Sequence, residues 1–404
     1  MNICLARQPI FDAKLNVVGY ELLYRSSEAS TAYDGPDPDF ASSNMVMMGL
    51  DASIKMLADN KMAFINFTEN LLINEAATIL PKSHLVVEIL EDISPCQEVI
   101  ECCRKLKKQG YILSLDDFVC SENKLPFLEI ADIVKIDFLN RDIESIKKDV
   151  SIITASSRAR LLAEKVETQE VFELAKSLGF SLFQGYFFSR PQIFSKKRLS
   201  PVRVNQLRLI HYAMDPMADY KKLASIIKND AVLSYRILRL VNSTYYGLQY
   251  TVKNIRHALA ILGIRNIRKY VTLLTIDNMT DDKPEELIKI SLIRACVLEH
   301  LATFAGMRKQ KEELFLLGLF SLIDALSDTP MEEVVEKINL PATVSNALLS
   351  GNGKLTDMLN LVVYYERGDW AMATEIAKKY DLSMNELYKL YIAAVEWANE
   401  LLTK

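Results

Sequence analysis

Apolar residues in the first 190 positions come in short runs, and the polar residues that interrupt them fall at regular places. "ICLARQPIF", "VVGYELLYR", "AFINF", "LVVEIL", "YILSLDD", "DIVKID", "RLLAEKV" and "LFQGYFF" each span five to nine residues, the length of a strand. Between most of them the period becomes that of a helix, as in 95–109 (PCQEVIECCRKLKKQ) and 168–178 (TQEVFELAKSL). Gly110 and Gly179 follow these two stretches directly, where a helix end favours glycine. Alternating β and α units predict a parallel sheet with helices outside. Eight strands in succession make a TIM-like (β/α)8 barrel the leading architecture. A doubly wound open sheet is the second, with no GxGxxG or Walker loop to accompany it.

The texture changes at 191–205, "PQIFSKKRLSPVRVN", where two prolines and a basic cluster end the strand pattern. The expected organisation is a barrel over 1–191, a linker over 192–203 and an all-α domain over 204–404. "DYKKLASIIKNDAVLSYRILRLVNS" reads as two amphipathic helices joined near Asp230, and "NIRHALAILGIRNIRKYVTLLTI" as two more joined at Gly263. Neither a heptad nor an internal repeat is present, which argues against a coiled coil or solenoid.

Why should "YILSLDDF" finish a buried strand with two adjacent carboxylates? In a (β/α)8 barrel, catalytic residues come from the C-terminal ends of different strands. At or beside the strand ends lie Glu21, Asn66, Glu88, Asp116 with Asp117, Lys135, Glu164 and Gln184. Their spacings of 45, 22, 28, 19, 29 and 20 residues suit one or two βα units each. Five carboxylates gathered with two amides and one amine call for a cation. Oxygen ligands select Mg2+ or Mn2+ over zinc. Two such ions could clamp the attacking and leaving oxygens of a phosphodiester displacement. Singly, each residue has an ordinary reading: a solvated loop carboxylate, a surface lysine, or, for Asn66 in "INFTEN", a cap for a helix at 68–77.

Composition narrows the classes. With 48 basic and 52 acidic side chains among 404 residues the net charge is −4, which gives no reason to expect a nucleic acid polymer. No run of eighteen apolar residues and no signal-like N-terminus is found, so a cytoplasmic protein without a membrane span is expected. Six cysteines show no CxxC or Cys–His spacing and are expected as free thiols.

The motifs together resemble the EAL domain family. "RQPIFDAKLNVVGYELLYR" resembles its opening, with "ELL" at Glu21–Leu23, and "INF", "VVEILE", "SLDDF", "VKID", "LLAEKVE" and "LFQGYFFSRP" follow in that family's order. The resemblance covers about residues 3–191. It implies a TIM-like barrel that hydrolyses cyclic di-GMP to linear pGpG with Mg2+ or Mn2+. Carried over, Glu21, Asn66, Glu88 and Asp116 would hold one metal, and Asp116, Asp117 and Glu164 a second. Lys135 would position or help deprotonate the attacking water, Gln184 would complete the water or ligand shell, and Glu167 would support the loops. Gln8 and Arg25 would meet the nucleotide, Arg25 as a phosphate donor. Two departures stand out: "DDFVCSEN" lacks the glycines that the family carries after its paired aspartates, and Lys165 replaces the glycine of "AEGVE".

The helical half resembles the HDOD domain, a relative of metal-dependent HD phosphohydrolases, through "LASIIKNDAVLSYRILRLVNSTYYG" and "NIRHALAILGIRNIRKYV". Ser321 and Leu322 fall where a His-Asp metal pair would lie, so this half is expected to act by contact, with a protein partner or in a homodimer. The combination resembles the YuxH-like group of bacterial signalling proteins. The leading expectation is therefore a metal-dependent cyclic di-GMP phosphodiesterase. The alternative is a weak or inactive EAL domain serving as a cyclic di-GMP receptor or a scaffold.

Overall fold

The structure, a computed structural model, describes residues 3–26, 53–139, 141–187, 283–337 and 340–402, with short stretches between 227 and 267. The expected linker at 192–203 and the helix junction near Asp230 lie outside the described residues. Eight strands close a barrel in chain order: β1 (Ile3–Asp12), β2 (Val17–Ser26), β3 (Met62–Phe67), β4 (Leu85–Ile89), β5 (Ile112–Leu115), β6 (Ile133–Asp137), β7 (Arg160–Glu164) and β8 (Leu182–Gln184). From β2 to β8 all neighbours are parallel. β1 is not; it runs antiparallel to both β2 and β8, which corrects the expectation of a uniformly parallel sheet. The cause is local. Residues 13–16 are all that separates β1 from β2, enough to reverse the chain but too few for a crossover. Asp12 builds the reversal, its carboxylate accepting the N–H groups of Lys14 (2.8 Å) and Asn16 (2.9 Å).

The outer helices follow the sequence pattern. Gln97–Gln109 buries Val99, Ile100, Cys103 and Leu106 on one stripe and ends at Gly110, whose φ of 93° is open to glycine. Gln169–Ser177 begins at Thr168, whose hydroxyl accepts from Val171 N–H.

The barrel interior is layered. Ile10, Phe64, Val86, Ile133, Leu162 and Leu182 form one buried cluster across six strands. Strand side chains alternate, so the residue two places on faces the same way. On β3, β4, β6, β7 and β8 those residues are Asn66, Glu88, Lys135, Glu164 and Gln184. The floor is apolar and the C-terminal mouth polar. Each floor side chain stabilises by roughly 1.5–3 kcal/mol, and a one-residue slip would turn its mouth partner outward. The floor therefore fixes the site.

The chain divides into two compact units, Met1–Phe188 with Val363–Lys389, and Ser189–Val362 with Leu390–Lys404. In the second, helix Glu285–Phe304 is buried at every residue from Glu286 to Leu298, as a helix surrounded on all sides must be. Helix Lys311–Phe320 crosses it closely, because a Cβ on Gly318 would lie 2.4 Å from the Ala295 nitrogen. No helix among the described residues is long and apolar enough to cross a membrane.

Candidate active site

Lys135 stands at the centre of the mouth with no exposed surface. Its Nζ lies 2.6 Å from Asp116 Oδ1, 2.9 Å from Glu88 Oε1, 3.0 Å from Glu164 Oε1 and 3.4 Å from Glu21 Oε2. Four strands and one strand end thus meet at one atom. The contacting oxygens of Glu21 and Asp116 lie within about 6 Å of each other, since both touch this nitrogen. Gln184 Nε2 donates to Glu21 Oε2 at 2.6 Å and to Gln8 Oε1 at 2.9 Å. Gln8 reaches this layer because β1 is reversed and pairs Gln8 directly with Glu21.

One ammonium facing four carboxylates leaves a surplus of negative charge. Burial alone would lower the Lys135 pKa, but Glu164, Glu21, Glu88 and Asp116 overcome it and hold the amine protonated well above its usual range. Burial pushes the Glu88 carboxyl well up, and the charges of Glu21 and Asp116 add to it against the opposing pull of Lys135. Burial likewise lifts Glu164 to about 8, with Asp116, Glu21 and Asp117 adding to it and Lys135 opposing. In this state protons take up part of the surplus.

A second ion group adjoins the first. Lys165 Nζ lies 2.7 Å from Asp137 Oδ2 and 3.4 Å from Asp117 Oδ2. Both Asp117 (φ 38°) and Lys165 (φ 52°) adopt the left-handed backbone that favours glycine, a conformation that costs about 1–2 kcal/mol per residue. So the lysine that stands where the motif has glycine takes a backbone that favours glycine and brings a cation to the site. Burial would lower its pKa, but the hydrogen bond to Asp137 and the charges of Asp117 and Asp137 hold it raised. Asp137 is not among the strand-end residues named from the sequence. It stands two residues after Lys135, on the same face of β6, and the alternation rule would have found it.

The remaining candidates are placed differently. Thr68, not Asn66, caps the following helix, its hydroxyl accepting from Leu71 N–H at 3.4 Å. Asn66 pairs in register with Glu88, and its Oδ1 is buried without a hydrogen-bond partner. Glu167 is exposed, one residue before the Thr168 cap. Arg25 lies on β2 opposite Cys4, and its side chain falls outside the described residues. The loop after the paired aspartates is fastened to helix Ile143–Ser156. Asp149 Oδ2 accepts from Cys120 N–H (3.3 Å) and Arg141 (2.6 Å), and Arg141 also donates to the Phe118 carbonyl at 3.3 Å.

The donor set fits a hard divalent cation. Every residue converging on Lys135 offers oxygen, and neither His nor Cys takes part. Buried acceptors are left over: Asn66 Oδ1, both Glu88 oxygens, Asp117 Oδ1, Glu164 Oε2 and Gln184 Oε1 make no hydrogen bond. Glu88 Oε1 keeps its 2.9 Å ion contact with Lys135. Among the described residues no three acidic, His or Cys side chains are already spaced around one cation; the carboxylates close on the ammonium instead.

In the helical unit, Ser321 Oγ donates to the Gly318 carbonyl at 2.7 Å and accepts from Arg294 at 3.2 Å, and Leu322 is buried. His300 Nδ1 lies 2.8 Å from the carbonyl oxygen of Cys296, one turn earlier. The His300 contact is local to its helix, while Ser321 ties the end of Lys311–Phe320 to Arg294 on Glu285–Phe304.

The EAL domain family matches residues 39–191 and the HDOD domain family matches 199–338. The first match begins after β2, so Gln8 and Glu21 are tied to the mouth by register and contact. Over 399 residues the chain is 34% identical to the Vibrio cholerae protein named cyclic di-GMP phosphodiesterase CdgJ, covering 98% of this chain and 92% of that one. Over 412 aligned positions it is 37% identical to the uncharacterized Bacillus subtilis protein YuxH, covering 100% and 99%. A solved EAL domain protein from Listeria monocytogenes is 25% identical over 47% of this chain and 88% of its own, with a TM-score of 0.38. With both domain matches in one chain and two relatives aligned end to end, this protein belongs to the family of EAL–HDOD proteins.

Proposed function

We propose that the barrel's mouth hydrolyses cyclic di-GMP to linear pGpG with Mg2+ or Mn2+, as a cytoplasmic enzyme of bacterial second-messenger signalling. The observation that carries the reading is the convergence of Glu21, Glu88, Asp116 and Glu164 on one buried point with oxygens to spare. The end-to-end likeness to a protein named as a cyclic di-GMP phosphodiesterase supplies the substrate. Water adds to phosphorus, the bond to the 3′ oxygen breaks, and the 5′ phosphate stays on the product.

Glu21, Asn66, Glu88 and Asp116 would hold one divalent ion, and Asp116, Asp117 and Glu164 would serve a second. A bound ion supplies charge to the attacking water and to the phosphoryl oxygens. Lys135 is a fixed positive charge at the reaction centre while its carboxylates stay charged, and becomes a proton acceptor only once their charge is taken up. Gln184 orients Glu21 through its 2.6 Å hydrogen bond. Gln8 and Arg25 would meet the nucleotide, and Glu167 would support the loop before its helix. The all-α domain would dock a protein partner or a second copy and do no chemistry.

The test is incubation of the full chain with cyclic di-GMP and Mg2+, Mn2+ or chelator, resolving pGpG by chromatography. Metal-dependent conversion supports the reading. Binding without conversion would support the receptor alternative, which the Lys165 contacts with Asp117 and Asp137 favour.

A further inference from the structure

β8 pairs with only the last three residues of β1, Ile10–Asp12. Along Ile3–Pro9 the β8 side of β1 has no strand partner among the described residues. A later part of the chain fills this seam. Tyr365 is fully buried, and its hydroxyl donates to the Leu5 carbonyl (2.9 Å) and accepts from Leu5 N–H (3.2 Å). One side chain thereby satisfies both open groups of that strand residue. Gly368 follows against Leu23, where a Cβ would stand 2.7 Å from Leu23 Cδ1, and its φ of 71° favours glycine. Arg367 lies over the Tyr186 ring at 4.6 Å, two residues past the end of β8.

The contact continues into the acid cluster. The Arg367 carbonyl accepts from Gln8 Nε2 at 3.1 Å, Gln8 Oε1 accepts from Gln184 Nε2 at 2.9 Å, and Gln184 Nε2 donates to Glu21 at 2.6 Å. Three hydrogen bonds join the turn at 367–369 to a carboxylate on Lys135.

We infer that residues 363–370 are a working part of the barrel's mouth, with Gln8 as the positioning residue through which they set Gln184 and Glu21. Helix Lys354–Glu366, which carries Tyr365, has part of its length in the other compact unit, while helix Trp370–Lys379, which follows the turn, lies in the barrel's own unit. The inference rests on the mouth being the active site, and its test reads the seam separately from turnover.

Trp370 supplies the probe, because its ring meets Tyr365 edge-on at 5.2 Å. The chain has two tryptophans, so Trp397→Phe leaves Trp370 as the sole emitter. Titration of that variant with Mg2+ and then cyclic di-GMP is expected to shift Trp370 emission, and adding Gln8→Leu should abolish the shift that Mg2+ alone produces. Tyr365→Phe, which keeps the buried ring, should lower kcat by roughly tenfold or more, as small misplacements of a catalytic group do. Emission that ignores both ligands, or a Mg2+ shift that survives Gln8→Leu, overturns the inference. So does a Tyr365→Phe enzyme with wild-type kcat. If the wild-type chain hydrolyses nothing, the enzymatic reading fails while the emission result still decides the coupling.

Discussion

At the barrel's mouth a fully buried lysine meets four carboxylates, and oxygens of Glu88, Glu164 and Gln184 still lack hydrogen bonds. In the helical unit, Asn242 commits its whole amide to the backbone: Nδ2 donates to Leu238 (2.7 Å) and Val252 (2.9 Å), and Oδ1 accepts from Val252 N–H (2.7 Å). Ser321 is closed in the same way between Gly318 and Arg294. A polar group kept for structure uses up its hydrogen-bonding capacity nearby, since an unmet buried group costs about 1–3 kcal/mol. The mouth tolerates several such groups in one place. The spare oxygens gathered there are what the proposed cation site rests on.

The comparison is broken most forcefully at its centre. Lys135→Met leaves the buried carboxylates without their ammonium, and the chelated protein is expected to lose about 3–5 kcal/mol of stability, with Mg2+ restoring part. Urea unfolding with and without Mg2+ measures this. An unchanged midpoint in chelator would mean that the charges are not coupled.

Protonation sharpens the same point. Glu164 titrates near 8 in the folded chain against 4.5 as its ordinary value, so the folded state holds a proton that the unfolded state has released. Stability of the metal-free protein therefore falls as pH rises from about 4.5 to 8, and Glu88 acts in the same direction. Glu164→Gln fixes the neutral form and should flatten the slope. Melting temperatures in chelator at several pH values decide it; a variant slope equal to wild type would contradict the assignment.

Lys165→Gly is a smaller change. It relieves a left-handed residue by about 1 kcal/mol and frees Asp117 and Asp137 of their cation. Calorimetric titration with Mn2+ should show tighter binding than wild type, and weaker binding would mean that Lys165 supports the metal ligands. At the other pole, Ser321→Ala with His300→Ala is expected to leave hydrolysis within about twofold, as surface-like changes away from a site do. A lost turnover there would move chemistry into the helical unit.

Much of the barrel was legible because its strands are short apolar runs whose inner face changes from apolar floor to polar mouth at one step. Leu162 and Glu164 on β7 show that step in three residues. The reversal of β1 was missed although Asp12 and Asn16 bracket a connection too short for a crossover. In the sequence Lys135 is one of eight polar residues at strand ends; only distances put it at the centre of the others. The role of 363–370 was not legible at all. A helical period marks an apolar face in "LNLVVYYE", but nothing in that period names the strand edge it will meet. Tyr365 and Leu5 are 360 residues apart, and only the fold pairs them.

The most direct test compares wild type with Glu21→Ala at saturating Mg2+, following cyclic di-GMP binding and pGpG formation in the same samples. Glu21 touches both Lys135 and Gln184, yet lies ahead of the matched EAL segment. Wild type is expected to form pGpG, chelator to stop it, and Glu21→Ala to lose at least about a hundredfold in rate while still binding the dinucleotide. Conversion by Glu21→Ala at the wild-type rate, or binding without conversion by wild type, would contradict the proposed function.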